Sequence, residues 1–197
     1  MQKGRSRDMP VLSAVTGALC LGICALTLSS CGKDRGYLVD TLGPARGEQK
    51  QLLKLLKKDK KESDSRFALM NRIAGNLRSE GQTANLILFL TSSVEDYSDD
   101  PYNAYWLLMV ANTYLEENAP KVAEYYFARI LDNCEDLEVA GQSIHLACLQ
   151  NLIKITDSPE LQIRYYSDLI TRFADKIDLG YSYFMLARSY ERLGEWQ

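Results

Sequence analysis

The chain has 197 residues, 23 basic and 26 acidic side chains, a formal charge of −3 and a single histidine. That balance excludes a general nucleic-acid binder, which needs a basic surface. One histidine excludes a histidine-rich metal site, and the length suits one domain behind a leader.

The leader comes first. Lys3, Arg5 and Arg7 stand against one acid, Asp8, and residues 11–28 then carry no charge. A basic stretch followed by an apolar one is the pattern of an export signal. The run reaches the threshold length of a membrane span, but Ser13, Thr16, Gly17, Gly22 and Thr27 dilute it. It ends at Leu28-Ser29-Ser30-Cys31. Small residues before a cut admit a signal peptidase, and a cysteine after it offers a thiol for acylation. These four residues resemble the lipobox of bacterial lipoproteins. The resemblance implies that residues 1–30 are a signal peptide and that Cys31 is lipidated. It also implies further acylation of the new N-terminus. Each buried methylene adds roughly 0.8 kcal/mol, so two or three chains hold a protein on a membrane. Gly32, not Asp, follows the cysteine. By the same resemblance this favours the outer over the inner membrane, with the protein facing the periplasm.

Removing residues 1–30 takes three bases and one acid, leaving a charge of −5 on 167 residues. Cys134 and Cys148 are the cysteines that remain beside Cys31. An exported protein permits a disulfide, while apolar helical surroundings suit two buried thiols better. Residues 31–47 hold four glycines and a proline and read as a flexible tether. Residues 48–63 read as a basic amphipathic helix. Leu52, Leu53, Leu55 and Leu56 form its apolar side, with Lys50, Lys54, Lys57, Lys58, Lys60 and Lys61 around them. Near an anchor such lysines can meet anionic headgroups, although a solvated helix face accounts for them more simply.

From residue 64 onward apolar residues recur at spacings of three and four, the helical period. The turn segments are SEGQ, SDDP, ENAP, NCED, TDSP and ADKID. Their Asp, Ser and Asn can cap helix starts, and a first helical turn tolerates proline. The fold class is all-α. Aligning MNRIAGNLRSEGQ, LLMVANTYLEENA and YFMLARSYERLGE puts Gly81, Asn118 and Gly194 at one turn position, with steps of 37 and 76 residues. A degenerate copy then has its turn near Asp157. Fixed spacing of this kind signals stacked supersecondary units.

Inside the second unit stand Leu107, Val110, Ala111 and Tyr114, then Ala123 and Phe127; the last unit has Tyr183, Leu186, Ala187, Tyr190 and Gly194. This resembles the tetratricopeptide repeat, in which small residues let helices A and B approach and an aromatic fills the space between units. The first unit has Met70, Ile73, Ala74, Leu77 and Gly81, but Leu86 replaces the helix-B alanine, and the third unit matches poorly. The resemblance implies a right-handed superhelical solenoid over residues 64–197, about 3.5 repeats with the last incomplete. Glu195-Trp196-Gln197 falls where the last helix B would begin, which leaves Tyr183 and Leu186 to be covered by something else. The segment from Tyr165 to Trp196 is also similar to repeat lipoproteins that assist outer-membrane barrel assembly or envelope organisation.

No catalytic pattern is present. His145, in SIHLACL, reads as a packing residue, and there is no nucleophile elbow, phosphate loop or zinc spacing. Asp99-Asp100 and Glu116-Glu117 fall in turns and read as solvated caps. No enzyme activity, cofactor or metal is expected. The expectation is a membrane-anchored protein–protein interaction scaffold of the bacterial envelope. As an alternative, the chain serves solute uptake and binds a small ligand or a solute-binding protein. By resemblance, the groove-facing positions are Tyr105, Leu108, Asn112 and Glu116 in the second unit and Tyr181, Phe184, Arg188 and Arg192 in the last. The expected partners are envelope proteins and, through the lipid, the membrane; nucleic acid is not one of them.

Overall fold

The computed structural model describes residues 46–58 and 63–194. The leader, Cys31, the tether up to residue 45, Lys60, Lys61 and Glu195-Trp196-Gln197 lie outside the described residues. Within them the chain forms α1 (Arg46–Lys58), α2 (Ser63–Ser79), α3 (Thr83–Asp96), α4 (Asn103–Glu116) and α5 (Pro120–Asn133). A two-stranded hairpin follows, β1 (Glu138–Val139) and β2 (Gln142–Ser143), then α6 (Ile144–Ile155), α7 (Pro159–Phe173) and α8 (Leu179–Leu193). The described residues are all-α apart from that hairpin. Each helix packs on the next one in sequence, and α4 also reaches α6.

The turns explain the succession. α2 ends on Gly81 at φ +68°, α4 on Asn118 at φ +57° and α8 on Gly194 at φ +80°. Gly81 N–H donates to the Arg78 carbonyl and Gln82 N–H to that of Leu77, at 3.0 and 2.9 Å. Asn118 and Ala119 repeat both bonds, to Leu115 and Tyr114, at 3.0 and 2.9 Å. This is a left-handed cap that satisfies the last carbonyls and turns the chain back on itself. The turn between α6 and α7 is built differently. Thr156 and Ser158 are extended, Ser158 Oγ accepts from Leu161 N–H, and Pro159 opens α7.

α2 and α4 lie side by side in parallel. Tyr102 Oη donates to Asp64 at 2.7 Å near their starts. The Phe67 and Tyr105 rings sit 5.2 Å apart a turn later. Arg78 pairs with Glu116 at their ends. All three pairs are separated by 38 residues. A buried ion pair ties the same helices where α4 begins: Arg66 Nε donates to Asp100, and the guanidinium lies 4.6 Å over the Tyr97 ring.

The core runs through α1 to α7, with Trp106, Phe89, Phe127, Leu56, Met70 and Ile73 among its largest fully buried side chains, and α8 adds only the partly buried Met185 and Leu186 at its edge. Leu107, Val110, Ala111, Ala123 and Phe127 are all buried. α1 belongs to this core: Leu52, Leu53 and Leu56 are buried, and Gln49 Nε2 donates to the Ile73 carbonyl at 3.2 Å. Leu55 differs from the amphipathic reading, being 52% exposed. It stands at one edge of the buried face, beside Leu52 but turned away from Leu53, so the leucine run is wider than the face it buries.

The hairpin was not signalled by the sequence. Its strands are two residues each, too short for an alternating pattern to register. Ala140 and Gly141 both take positive φ, the backbone of a two-residue hairpin turn.

Candidate functional site

The two predicted stripes have the same spacing, i, i+3, i+7 and i+11, which keeps four side chains on one side of a helix. On α4 that side is largely engaged within the chain. Tyr105 is half-buried against Phe67 and Trp106, with ring centroids 5.2 and 4.9 Å away. Leu108 and Asn112 are half-buried, and Leu108 packs on the core. Glu116 is exposed and pairs with Arg78, both side chains more than half accessible. An exposed pair of this kind contributes about 0–1 kcal/mol.

On α8 the corresponding side is open. Tyr181 is 58% and Phe184 62% exposed, and Arg188 and Arg192 are exposed as well. Arg192 is tied down: Nη1 donates to Gln162 Oε1 at 3.0 Å and Nη2 to the Asp157 carbonyl at 3.1 Å. It fastens α8 to α7 and to the turn before α7. Tyr181 lies near Tyr166, whose phenol is pushed above its ordinary range by burial and then by Tyr181. The stripes of α4 and α8 are therefore alike in position and unlike in surroundings.

The chain matches no protein-family model and no curated protein.

The open side of α8 was legible in part, since Tyr181 and Phe184 were expected on a groove face and Tyr183 was expected to need cover. What sequence reasoning missed is which residues face inward. The buried residues of α8 are Ser182 and Ser189, while five of the eight exposed large hydrophobics among the described residues stand on it. They are Leu179, Tyr181, Tyr183, Phe184 and Tyr190. Ser182 Oγ donates to the Asp178 carbonyl at 2.8 Å, and Ser189 Oγ to the Met185 carbonyl at 2.9 Å. With their hydroxyls satisfied, the serines act as small spacers that let α8 lie close on α7. The aromatic side is left facing solvent. The signal was available as Ser182 and Ser189 seven residues apart, two turns on one face, but aromatics are ordinarily read as the inward side. Ala187, a small packing position by the repeat pattern, is also exposed.

A lesser exposed surface lies on α1, where Lys50, Lys54, Lys57 and Lys58 flank Leu55. His145 is buried, accepts at Nδ1 from Arg172 and donates from Nε2 to the Cys134 carbonyl at 3.0 Å. Both ring nitrogens are thus engaged within the chain. Among the described residues no three His, Cys, Asp or Glu side chains are placed to hold a metal ion. None of their helices is long and apolar enough to cross a membrane. The α8 surface offers aromatic area and the exposed Arg188 guanidinium.

Proposed function

We propose that this chain is a lipid-anchored, tetratricopeptide-like interaction scaffold of the bacterial envelope that grips a protein partner through α8. Cys31 carries the anchor, and α2 to α8 form the repeat stack. The observation that carries the reading is the run of exposed aromatics on α8, Tyr181, Tyr183, Phe184 and Tyr190. Interface anchors are enriched in Tyr, Trp and Arg, and a few of them supply most of the binding energy. Arg188 stands among the aromatics and can take a carboxylate or a backbone carbonyl. The parallel placement of α2 beside α4 at a 38-residue offset and the matching left-handed caps support the repeat arrangement. An adaptor role in outer-membrane protein assembly or envelope organisation accords with the leader and the repeat.

The test is a pull-down from detergent-solubilised membranes with the full chain. Tyr181→Ser with Phe184→Ser should weaken capture of the partner about thirtyfold, the equivalent of about 2 kcal/mol. Tyr125→Ser, at an equally exposed tyrosine on α5, should leave it unchanged. Equal capture by all three proteins would remove α8 from the interface. Cys31→Ser should abolish fatty-acid labelling; a mutant that is still labelled and processed would remove the anchor.

A further inference from the structure

Two cysteines bracket the hairpin between α5 and α6. Cys134 is the C-cap of α5, in extended conformation, its N–H donating to the Ile130 carbonyl at 3.0 Å. Its own carbonyl accepts from His145 Nε2 at 3.0 Å. Cys148 follows His145 by three residues on α6, so it lies one turn along the same side of that helix. The helix face that meets Cys134 is therefore the face that carries Cys148. Cys148 is fully buried and Cys134 is half-buried. Of the groups that act on the Cys148 thiol, Cys134 comes directly after burial itself, ahead of Asp136.

The segment between them is pinned. Ser143 Oγ donates to the Asp136 carboxylate at 2.8 Å, and Asp136 accepts from the His145 N–H at 3.0 Å. Ser143 Oγ in turn accepts from Leu146 N–H at 3.0 Å and caps α6. These bonds fix the start of α6 against the end of α5, and both cysteines lie at that junction.

We propose that Cys134 and Cys148 form a redox pair, closing to an intramolecular disulfide that locks the α5–hairpin–α6 junction. The route follows from access. Burial raises both thiols above the ordinary range, and Cys148 far more than Cys134. Thiolate and access together select the attacking sulfur, so Cys134 reacts first. Its thiolate attacks a disulfide of low molecular weight such as oxidised glutathione; that S–S bond breaks and one glutathione thiolate leaves. Cys148 then loses its proton and attacks Cys134 Sγ, expelling the second glutathione thiolate. Two protein thiols are oxidised and one glutathione disulfide is reduced. The closed loop spans the hairpin, so the bond removes freedom from the unfolded chain.

The experiment is oxidation of the full chain with oxidised glutathione, followed by peptide mass mapping and thermal melting. The expected result is a Cys134–Cys148 cross-linked peptide and a thermal midpoint above that of the reduced protein. Mapping separates this pair from any that involves Cys20, Cys24 or Cys31. The variants give the order of events. Cys148→Ser should accumulate a glutathione adduct on Cys134, whereas Cys134→Ser should leave Cys148 unmodified while folded. If both thiols of the native chain remain alkylatable after oxidation and denaturation, the proposal fails. It fails equally if Cys134 stops at the glutathione adduct, or if Cys148 reacts in the Cys134→Ser protein as fast as in the unfolded chain. None of these outcomes depends on what binds α8.

Discussion

His145 shows how a single buried side chain carries information about pH. Its ring is held between the Cys134 carbonyl at Nε2 and Arg172 at Nδ1. Arg172 can donate to Nδ1 only while that nitrogen is unprotonated. Burial is the main cause that lowers its pKa below 6.5, and the Arg172 charge adds to it; Asp136 and the Cys134 carbonyl pull the other way. A folded pKa below the unfolded value means that the unfolded chain binds more protons in the window beneath 6.5. Stability should therefore fall as pH drops through that window and level off above it. Thermal midpoints measured from pH 8 to pH 5 should show a steeper acid-side fall in the native protein than in His145→Gln, which can still donate to the Cys134 carbonyl. Identical profiles would mean that His145 keeps its proton affinity on folding. The apolar neighbours of His145 in the sequence mark it as a packing histidine. Its two partners carry no such mark, because Cys134 and Arg172 lie 11 and 27 residues away along the chain.

Helix ends and helix crossings are set by a few small residues. Gly81 caps α2 at φ +68°, with nothing within 4 Å of where a Cβ would stand. Gly81→Ala should thus cost only the conformational penalty of a left-handed alanine, about 1–2 kcal/mol, readable as a lower urea midpoint with unchanged m. A larger loss would show that the turn needs space as well as a positive φ. The crossing of α4 and α5 depends on Ala111 and Ala123, both fully buried. Tyr114 and Tyr126 stack across that pair at 5.6 Å. Ala123→Leu should overpack it and cost about 1–3 kcal/mol, whereas Tyr125→Leu, on the outer side of α5, should change the thermal midpoint little. Equal effects at Ala123 and Tyr125 would overturn the assigned face.

Across the described residues, packing thins towards α8. α4 buries seven residues, including Trp106, Leu107 and Val110, and meets α3, α5 and α6. α8 buries two serines and packs principally on α7. Local opening is easiest where few apolar contacts must be broken. Amide hydrogen exchange should therefore be faster in α8 than in α4 by orders of magnitude, and a bound partner on the aromatic face should slow α8 selectively. Uniform protection along the chain would contradict the thin packing of α8. It would also undercut the reading of its aromatics as an available surface.

What the sequence determined by itself was local. The three-and-four spacing of apolar residues made the chain helical, because that period is a property of one segment. Gly81, Asn118 and Gly194 marked their turns, because a positive φ is favoured by glycine and tolerated by asparagine whatever surrounds it. The apolar positions of α4 and α5 were equally legible, since Leu107, Val110, Ala123 and Phe127 have no other face to share. Tertiary structure decided the rest, because burial depends on what stands opposite. Leu55 and Leu56 are adjacent and chemically identical, yet one is 52% and the other 1% exposed. Tyr105 and Tyr181 are each the third residue of a helix, but Tyr105 meets the Phe67 ring of α2 while Tyr181 faces solvent. On α8 the serines turn inward against α7, where Ser189 Oγ also donates to Gln162 Oε1 at 3.3 Å. That contact joins residues 27 apart in the chain, so only the packing of the two helices could select the serine side as the inner one.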